Sequence, residues 1–168
     1  MMDKYTVGVL TLSDKGSCGE REDTSGAMLK ELFAGLEEYT VVLYLVIADD
    51  KSLISATLTR WVDENNIDLI ITTGGTGVAP SDQTPEATRA VIDRQVPGLA
   101  EAMRQASLTK TVQAVWSRGI AGIRRQSLII NLPGSEKAAK ENIEAILPAL
   151  SHGLYKLKGG DADCGVGV

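Results

Sequence analysis

The amino-acid sequence predicts an α/β fold of three layers, α/β/α, in which helices cover both faces of a mostly parallel sheet. Four short segments have the continuous apolar character that is typical of strands buried on both faces. Segments with the helical spacing of apolar residues lie between these strands, and such alternation is typical of parallel sheets. A chain of 168 residues has room for one domain. We expect that domain to span residues 1–158 and the glycine-rich residues 159–168 to form a flexible tail.

The predicted strands end in polar residues and turn signals. They span Tyr5 to Leu12, Thr40 to Ile47, Asp68 to Thr73 and Ser127 to Leu132. Residues 108–125 fit the strand and helix patterns less well, and we expect an extra hairpin or edge strand there.

The predicted helices have recognisable start signals. Thr84-Pro85-Glu86 supplies a capping hydroxyl, a proline at the first helical position and an acid in the first turn. Ser135 caps a last long helix, which Pro148 is expected to kink or shorten. The apolar helix faces lie within 28–36, 54–62, 99–106 and 139–150.

The composition excludes several kinds of chemistry. The chain has a single histidine, His152, and we do not expect it to belong to a Ser-His-Asp site. We expect it near the C-terminus of a helix, where the helix dipole favours it. The two cysteines, Cys18 and Cys164, are far apart and form no CxxC pair, which argues against zinc fingers and iron–sulfur clusters. Cys18 lies in a predicted surface loop and has no assigned role. Any catalysis therefore depends on carboxylates, hydroxyls and backbone amides, with or without a hard metal ion.

The charge and hydropathy of the chain restrict where the protein is expected and which partners it can have. No apolar run approaches the length of a membrane span, and no secretory leader precedes the first strand, so we expect a cytoplasmic protein. The net charge of −5 argues against a nucleic-acid binder. Residues 102–135 nevertheless carry five cations and no acid. This basic segment suits an anionic small molecule, a solvated face or a subunit contact.

Polar residues follow each predicted strand at its carboxyl end. They are Thr11-Leu-Ser-Asp14, Ile47-Ala-Asp-Asp50, Thr72-Thr-Gly-Gly-Thr-Gly77 and Asn131-Leu-Pro-Gly-Ser135. In an open parallel sheet the ligand lies beyond these ends. We therefore expect hydroxyls, carboxylates, an amide and two glycine-bearing turns to share one rim.

The glycine-rich segment 72–77 has two interpretations. Its backbone N–H groups can approach an anion closely, or it is a plain turn that joins a strand to a helix. It is not a Walker A loop, because no Gly-Lys-Ser/Thr follows, and Pro80 rules out the GxGxxG fingerprint.

Alternatives also remain open for the polar residues of the rim. Asp49 and Asp82 can hold Mg²⁺ together with substrate phosphates, or each can cap a helix N-terminus. Asp50 adjoins Asp49, so either of the two can be the cap. Asn131 can bind the polar edge of a heterocycle or tie its own turn together.

Taken together, these blocks resemble the molybdopterin adenylyltransferase family of the MogA/MoaB type, which includes the G domains of plant and animal molybdenum-cofactor proteins such as gephyrin. The block Thr-Gly-Gly-Thr-Gly followed by Asp-Gln-Thr-Pro-Glu-Ala-Thr is specific in combination, and the order and spacing hold from about Tyr5 to Gly159. The matching blocks are Leu10 to Asp14, Asp23 to Gly26, Asp68 to Gly77, Asp82 to Thr88, Pro97-Gly98, Gly122 to Arg124 and Leu128 to Gly134.

The resemblance implies an enzyme, a nucleotidyltransferase that moves AMP from ATP to the terminal phosphate of molybdopterin in molybdenum- or tungsten-cofactor synthesis. The products are adenylyl-molybdopterin and pyrophosphate, and Mg²⁺ is required. The resemblance also implies a homotrimer and a downstream molybdenum insertase as partner. The alternative is a non-catalytic, trimeric molybdopterin-binding paralogue. Retention of both acids and of the full glycine loop favours the enzyme.

Carried over by position, the resemblance assigns catalysis and metal binding to Asp49 and Asp82. It places Gly74, Gly75, Thr76 and Gly77 at the nucleotide and pterin phosphates, and assigns binding or activity to Ser13, Asp23, Ser107, Asn131, Pro133 and Gly134. Family members commonly carry a basic residue at the position of Ser81 and a proline at that of Ala48. We expect the segment from Arg104 to Arg125 to supply the cation that Ser81 lacks.

Overall fold

The computed structural model describes residues 4–161, and within this range it contains a six-stranded sheet. The strands are β1 (Tyr5–Leu12), β2 (Tyr39–Ile47), β3 (Leu69–Thr73), β4 (Arg94–Gln95), β5 (Ala121–Arg124) and β6 (Ser127–Leu132). Their order is β2-β1-β3-β6-β5-β4. The first four in this order are parallel, whereas β5 is antiparallel to both β6 and β4. The mostly parallel sheet is therefore confirmed.

Helices cover both faces of the sheet, which confirms the three layers. They are α1 (Asp14–Ser17), α2 (Thr24–Ala34), α3 (Lys51–Asp63), α4 (Thr84–Val91), α5 (Pro97–Leu108), a 3-10 helix (Val112–Trp116) and α6 (Glu136–Leu157). One apolar core joins the sheet to α2, α5 and α6. The other joins it to α3 and α4. Gly8 on β1 permits the close packing of Trp61 from α3, because a Cβ there would stand 2.7 Å from the indole ring.

Of the two effects expected of Pro148, a kink or a shorter helix, the shorter helix is wrong. The helix runs through the proline to Leu157. Pro148 lies on the exposed side of α6, where the carbonyl that loses its hydrogen bond can be solvated. Ile146, Leu150 and Leu154 bury the opposite side in the core and hold the helix on the sheet.

The strand β2 differs from the expectation of burial on both faces. Every residue of β3 and β6 is buried, as predicted. By contrast, β2 lies at an edge of the sheet and exposes Val42, Tyr44 and Leu45 by 46%, 38% and 37%. The prediction fails for β2 because a continuous apolar run does not distinguish a central strand from an edge strand whose outer face is uncovered.

Residues 108–125 and the short strand β4 form the part of the fold that the sequence pattern described least well. Of the two expected features, the extra hairpin is confirmed, because β5 pairs with β6 in the antiparallel sense across a two-residue turn. β5 is not an edge strand, because β4 pairs with its other side, and the residues before β5 form the 3-10 helix and an extended segment. The outermost strand, β4, was not predicted, because two residues carry no periodicity.

No helix within residues 4–161 is both long and apolar enough to cross a membrane. Most of the predicted tail, including Cys164, lies outside the described residues.

Candidate active site

Three clefts surround the loop that follows β3, at the carboxyl ends of the parallel strands. The first cleft, of about 490 Å³, is lined by residues that follow β1, β2 and β3, among them Ser13, Asp14, Asp23, Asp49, Gly74 and Gly75. The second, of about 350 Å³, includes Thr76, Gly77, Ser107, Trp116, Pro133 and Asn142. The third, of about 400 Å³, includes Lys51, Ala79, Asp82, Glu86 and Arg118. The predicted rim is thus present, and Gly134 contributes to the first two clefts.

The glycine turn requires its glycines. Gly74 and Gly75 have φ of +103° and +64°, a region that L side chains rarely adopt. A Cβ at Gly74 would also overlap the carbonyl oxygen of Leu12. The turn is fixed by Thr84, whose hydroxyl donates to the Gly74 carbonyl at 3.0 Å and whose N–H donates to the Gly75 carbonyl at 3.1 Å. Its shape is therefore set by the hydroxyl and N–H of Thr84 on one side and by the backbone of Leu12 on the other.

The Asp49 carboxylate lies in the first cleft with unsatisfied hydrogen-bonding capacity. Its Oδ1 is buried and accepts no hydrogen bond from the described residues. Burial, followed by the nearby carboxylates of Asp14 and Asp82, raises the pKa of Asp49 to about 6. The backbone N–H of Asp49 donates to Asp14 Oδ1 at 3.0 Å. This group of acids has an excess of negative charge that a cation would neutralise.

The structure separates the roles of the adjacent aspartates. The Asp50 carboxylate caps α3 by accepting from the Leu53 N–H at 2.7 Å, whereas Asp49 faces the cleft. The Asp82 carboxylate accepts from the Ala79 N–H at 2.8 Å and stabilises its own loop. A Cβ at Gly77 would stand 2.8 Å from Asp82 Oδ2. Both carboxylates therefore pack against glycines of the same loop.

No group of three or more His, Cys, Asp or Glu side chains within residues 4–161 is arranged as a ready-made metal site. Mg²⁺ does not need one, since it is commonly bound by one or two carboxylates together with substrate phosphates and water. The unbonded oxygen of Asp49 and the neighbouring carboxylates are hard oxygen donors of the kind that this ion prefers.

Asp23 is held at the first cleft by a network of donors. Its Oδ2 accepts from the hydroxyls of Thr11 and Tyr44, each at 2.6 Å, and its Oδ1 accepts from the Gly26 N–H at 2.9 Å and the Ser25 hydroxyl at 3.3 Å. Burial acts to raise the pKa of Asp23, but these hydrogen bonds outweigh it and hold the pKa below its ordinary value. Asp23 is therefore ionised and fixed in orientation.

Ser13 and Ser107 occupy different clefts. The Ser13 hydroxyl caps α1 by accepting from the Gly16 N–H at 3.0 Å, in the first cleft. Ser107 lies in the second cleft, where Asn142 donates to its hydroxyl at 2.6 Å. The Trp116 side chain lines the same cleft and is 61% exposed, so one indole face is available to a ligand.

Asn131 is not brought to any of these clefts. It is 1% exposed, and its amide nitrogen donates to the hydroxyls of Thr72 and Thr88 at 3.0 and 2.9 Å. Its amide oxygen accepts from the Ile120 N–H at 3.3 Å. The side chain thus joins β6 to β3, α4 and the segment before β5. Of the two interpretations offered for Asn131, this placement favours the structural tie over contact with a heterocycle.

The basic segment is divided between the two ends of the sheet. Arg124 and Arg125 bind Asp63 at the amino end of the parallel strands, far from the clefts. Arg104 and Arg118 lie at the carboxyl rim, where Arg104 donates to the Gly119 carbonyl at 2.9 Å. The expected compensation for Ser81 therefore cannot come from the whole segment.

Sequence reasoning did not single out several residues of the rim. Tyr44, Trp116 and Asn142 carry no recognisable motif, and only the packing of distant segments brings them to the site. Arg118 was included only as one of the five cations of the basic segment, without its contacts to Gly77 and Asp82.

The family model described as "Probable molybdopterin binding domain" matches residues 8–152. The chain belongs to this family. The match spans β1 to α6 and includes all the rim segments. The resemblance drawn from the sequence blocks is thereby confirmed.

Proteins of this family are similar to the chain over most of its length. The molybdopterin adenylyltransferase of Helicobacter pylori J99 is 44% identical over 155 residues, which cover 90% of this chain and 86% of that protein. The molybdenum cofactor synthesis protein cinnamon of Drosophila melanogaster is 41% identical over 154 residues, which cover 92% of this chain but only 26% of the fly protein. The chain thus corresponds to about a quarter of that larger relative.

The solved structures of the family agree with the fold. The crystal structure of the molybdopterin biosynthesis enzyme MoaB from Thermus thermophilus superposes with a TM-score of 0.87 at 50% identity. The alignment covers 92% of this chain and 97% of the MoaB chain. The sheet and helices described above are therefore those of the molybdopterin-binding family.

Proposed function

We propose that the chain is a molybdopterin adenylyltransferase, which transfers AMP from ATP to the terminal phosphate of molybdopterin. The observation that carries this proposal is the pair Asp49 and Asp82, packed against Gly75 and Gly77 of one loop. The pair occurs on a family fold whose H. pylori relative, 44% identical, bears that name. In the reaction a molybdopterin phosphate oxygen bonds to the α-phosphorus of ATP, the bond to the β-phosphate oxygen breaks, and pyrophosphate leaves.

The site suits a reaction that needs little acid–base catalysis. A phosphate monoester is already a nucleophile, so the protein has to align it, stabilise the developing charge and exclude water. His152, the only histidine, lies exposed on α6 and has no part in the clefts. Carboxylates, hydroxyls and backbone N–H groups are sufficient for this task.

Mg²⁺ is part of the proposal, with Asp49 and Asp82 as the residues that would hold it. Asp49 offers a buried oxygen that accepts no hydrogen bond within residues 4–161, and Asp82 and Asp14 add to the negative charge around it. When bound, the ion would neutralise charge on the phosphates. Asp49 and Asp82 would hold the ion beside the glycine turn. There the Gly75 N–H would donate to a phosphate oxygen, whereas the Gly74 N–H already donates to the Leu132 carbonyl at 3.1 Å.

We assign the phosphates of the nucleotide to the first cleft and the pterin to the second. Gly74, Gly75, Ser13 and Asp23 line the first cleft beside Asp49. The second offers the exposed indole of Trp116 for stacking, together with Ser107 and Asn142 as polar partners of a heterocycle edge. Gly134 lines both clefts, and Thr76, Gly77 and Pro133 line the second. We assign the meeting of the molybdopterin phosphate and the α-phosphate of ATP to the boundary at Gly134.

The test of this assignment uses the two tryptophans. Trp61 is 3% exposed in the core, so a ligand-dependent change in fluorescence reports on Trp116. Molybdopterin should quench this signal in the wild-type protein and in Trp61→Phe but not in Trp116→Phe. Quenching that survives in Trp116→Phe would place the pterin elsewhere.

The reaction itself is tested by pyrophosphate release from ATP and Mg²⁺ with and without molybdopterin. Release that requires molybdopterin and is lost in Asp82→Asn supports the transferase. Pterin binding without release supports the alternative of a non-catalytic binding protein.

The remaining assignments are also proposals. We infer a cytoplasmic homotrimer that passes its product to a molybdenum insertase, and one domain over residues 1–158 with a tail over 159–168. The exposed apolar residues Val42, Tyr44 and Leu45 of β2 support an assembly, because apolar edge strands are usually covered. Light scattering should give a mass three times the 17.9 kDa of the chain. Limited proteolysis should remove residues 159–168 first, and added insertase should consume adenylyl-molybdopterin.

A further inference from the structure

Arg118 joins a distant segment to the loop that carries Asp82. Its Nε donates to the Gly77 carbonyl and its Nη2 to the Asp82 carbonyl, each at 2.6 Å. Its Nη1 pairs with the Glu86 carboxylate, and its own N–H donates to the Thr76 carbonyl at 2.9 Å. One residue therefore contacts both ends of the loop and the first turn of α4.

These contacts hold the two ends of the loop 77–82 at a fixed distance from a different segment of the chain. Inside the loop, the hydrogen bonds are local: Ala79 donates its N–H to the Asp82 carboxylate, and Asp82 donates its N–H to the Ala79 carbonyl at 2.9 Å. Local bonds of this kind shape a turn but do not attach it to the rest of the molecule. The planar fork of Arg118 supplies that attachment, since its two donors reach carbonyls on opposite ends of the turn.

The guanidinium of Arg118 is occupied by protein acceptors. Burial acts to raise the pKa of Glu86, but the hydrogen bond from Arg118, its backbone and the positive charge of Arg118 outweigh it, so that the pKa of Glu86 is held below its ordinary value. Glu86 is therefore ionised and neutralises Arg118. The carbonyls of Gly77 and Asp82 accept the hydrogen bonds from Nε and Nη2 of the guanidinium. A phosphate would have to displace these partners to reach the guanidinium.

The segment that carries Arg118 also forms a wall of the second cleft. Thr111, Trp116 and Ser117 line that cleft, and Arg118 follows them directly. If this wall moved, the contact between Arg118 and the loop that carries Asp82 would therefore move with it.

We propose that Arg118 is a positioning residue that holds the Asp82 carboxylate in place for adenylyl transfer. It acts through Asp82 and not by contact with either substrate. The inference rests on the proposed function, because Asp82 is a catalytic candidate only for that reaction.

The first test compares Arg118→Lys with Arg124→Lys. Lysine keeps the charge but loses the two-armed fork. We expect Arg118→Lys to lower kcat about 100-fold, the cost of a misplaced catalytic group, with little change in KM for ATP or molybdopterin. Arg124 is a matched control, because it also binds a carboxylate, Asp63, and a carbonyl, that of Val91, but at the opposite end of the sheet. Arg124→Lys should leave kcat unchanged. A raised KM for ATP at unaltered kcat in Arg118→Lys would instead indicate direct phosphate binding and overturn the proposal.

A second test asks whether Arg118 acts through Asp82. In the Asp82→Asn background, Arg118→Lys should reduce the residual rate by no more than about twofold, whereas in Asp49→Asn it should have its full effect. Full loss in both backgrounds would overturn the proposal.

A third measurement does not depend on activity. Hydrogen exchange of the amides in residues 77–83 should accelerate in Arg118→Lys and not in Arg124→Lys, with the core amides unchanged in both. Unchanged exchange in this loop would overturn the proposal even if the wild-type protein released no pyrophosphate. Absence of that release in the wild type, with faster exchange in the variant, would instead count against the proposed function.

Discussion

The carboxylate of Asp49 packs directly on the Cα of Gly75, so that a Cβ at position 75 would stand 2.7 Å from Asp49 Oδ1. The same Cβ would overlap the hydroxyl of Thr84, which fixes the glycine turn. The proposed metal-binding carboxylate and the phosphate-binding turn therefore share one surface. A change in either one displaces the other.

Gly75→Ala should abolish most of the pyrophosphate release while the protein still folds. The φ of +64° costs alanine about 1 kcal/mol, and the new methyl displaces Asp49 or Thr84. We expect release to fall at least about 100-fold, measured beside urea unfolding. Gly98→Ala is the matched control, because nothing lies within 4 Å of a Cβ there and the residue is helical. That variant should be at least as stable as the wild type, and near-native activity in Gly75→Ala would show that the packing is not needed.

Three of the aspartates at the rim, Asp49, Asp50 and Asp82, should differ in function. Asp82→Asn should lower pyrophosphate release about 100-fold or more, and Asp49→Asn should act chiefly by raising the Mg²⁺ concentration needed for half-maximal rate. Asp50→Asn should change neither, because asparagine caps a helix as well as aspartate does. A Mg²⁺ dependence that shifts in Asp50→Asn and not in Asp49→Asn would exchange their roles.

Asp23 should make the stability of the fold sensitive to acid. Its pKa is lower in the folded protein than its ordinary value of 3.8, so the ionised form stabilises the fold above that pH. This contribution should disappear as the pH falls below about 4 and through the folded pKa. Tyr44→Phe removes one donor and should bring the folded pKa closer to the ordinary value. Urea midpoints measured against pH should therefore show a smaller acid-induced loss in Tyr44→Phe, and identical curves would contradict this account.

Asn131→Ala should destabilise the protein by about 3 kcal/mol, because it leaves the buried Ile120 N–H without its acceptor and removes two hydrogen bonds to threonines. The free energy of unfolding in urea measures this effect. The KM values of the folded fraction should stay near those of the wild type. A large rise in KM at unchanged stability would instead indicate that Asn131 contacts a substrate.

Periodicity and chain order predicted the part of the fold that positions the site. The limits of β1 and β6 agree with the sequence pattern to the residue, since apolar runs closed by polar residues and turns are unambiguous in central strands. The carboxyl ends of these strands then had to meet at one rim. The glycine turn and Asp49 were found in this way.

Long-range packing explains what the sequence did not predict. The exposure of β2 depends on its place at the sheet edge, which no local pattern encodes. Asn131 was correctly placed at a strand end, but only the positions of Thr72 and Thr88 turn its amide into the core. Arg118 reaches Gly77 across 41 positions of sequence, so neither residue signals the other.

The two ends of the described chain have a consequence for how the fold can be joined to other proteins. The Tyr5 hydroxyl donates to the Ser151 carbonyl, and Lys158 pairs with Asp68 at 2.6 Å, so β1 begins and α6 ends side by side at the amino edge of the sheet. All three clefts open at the opposite edge. A module joined directly at Lys4 or Lys158 would therefore begin at the edge of the sheet opposite to the one at which substrates enter. The same geometry lets the fold be inserted into a longer polypeptide as a self-contained cassette, with its entrance facing outward.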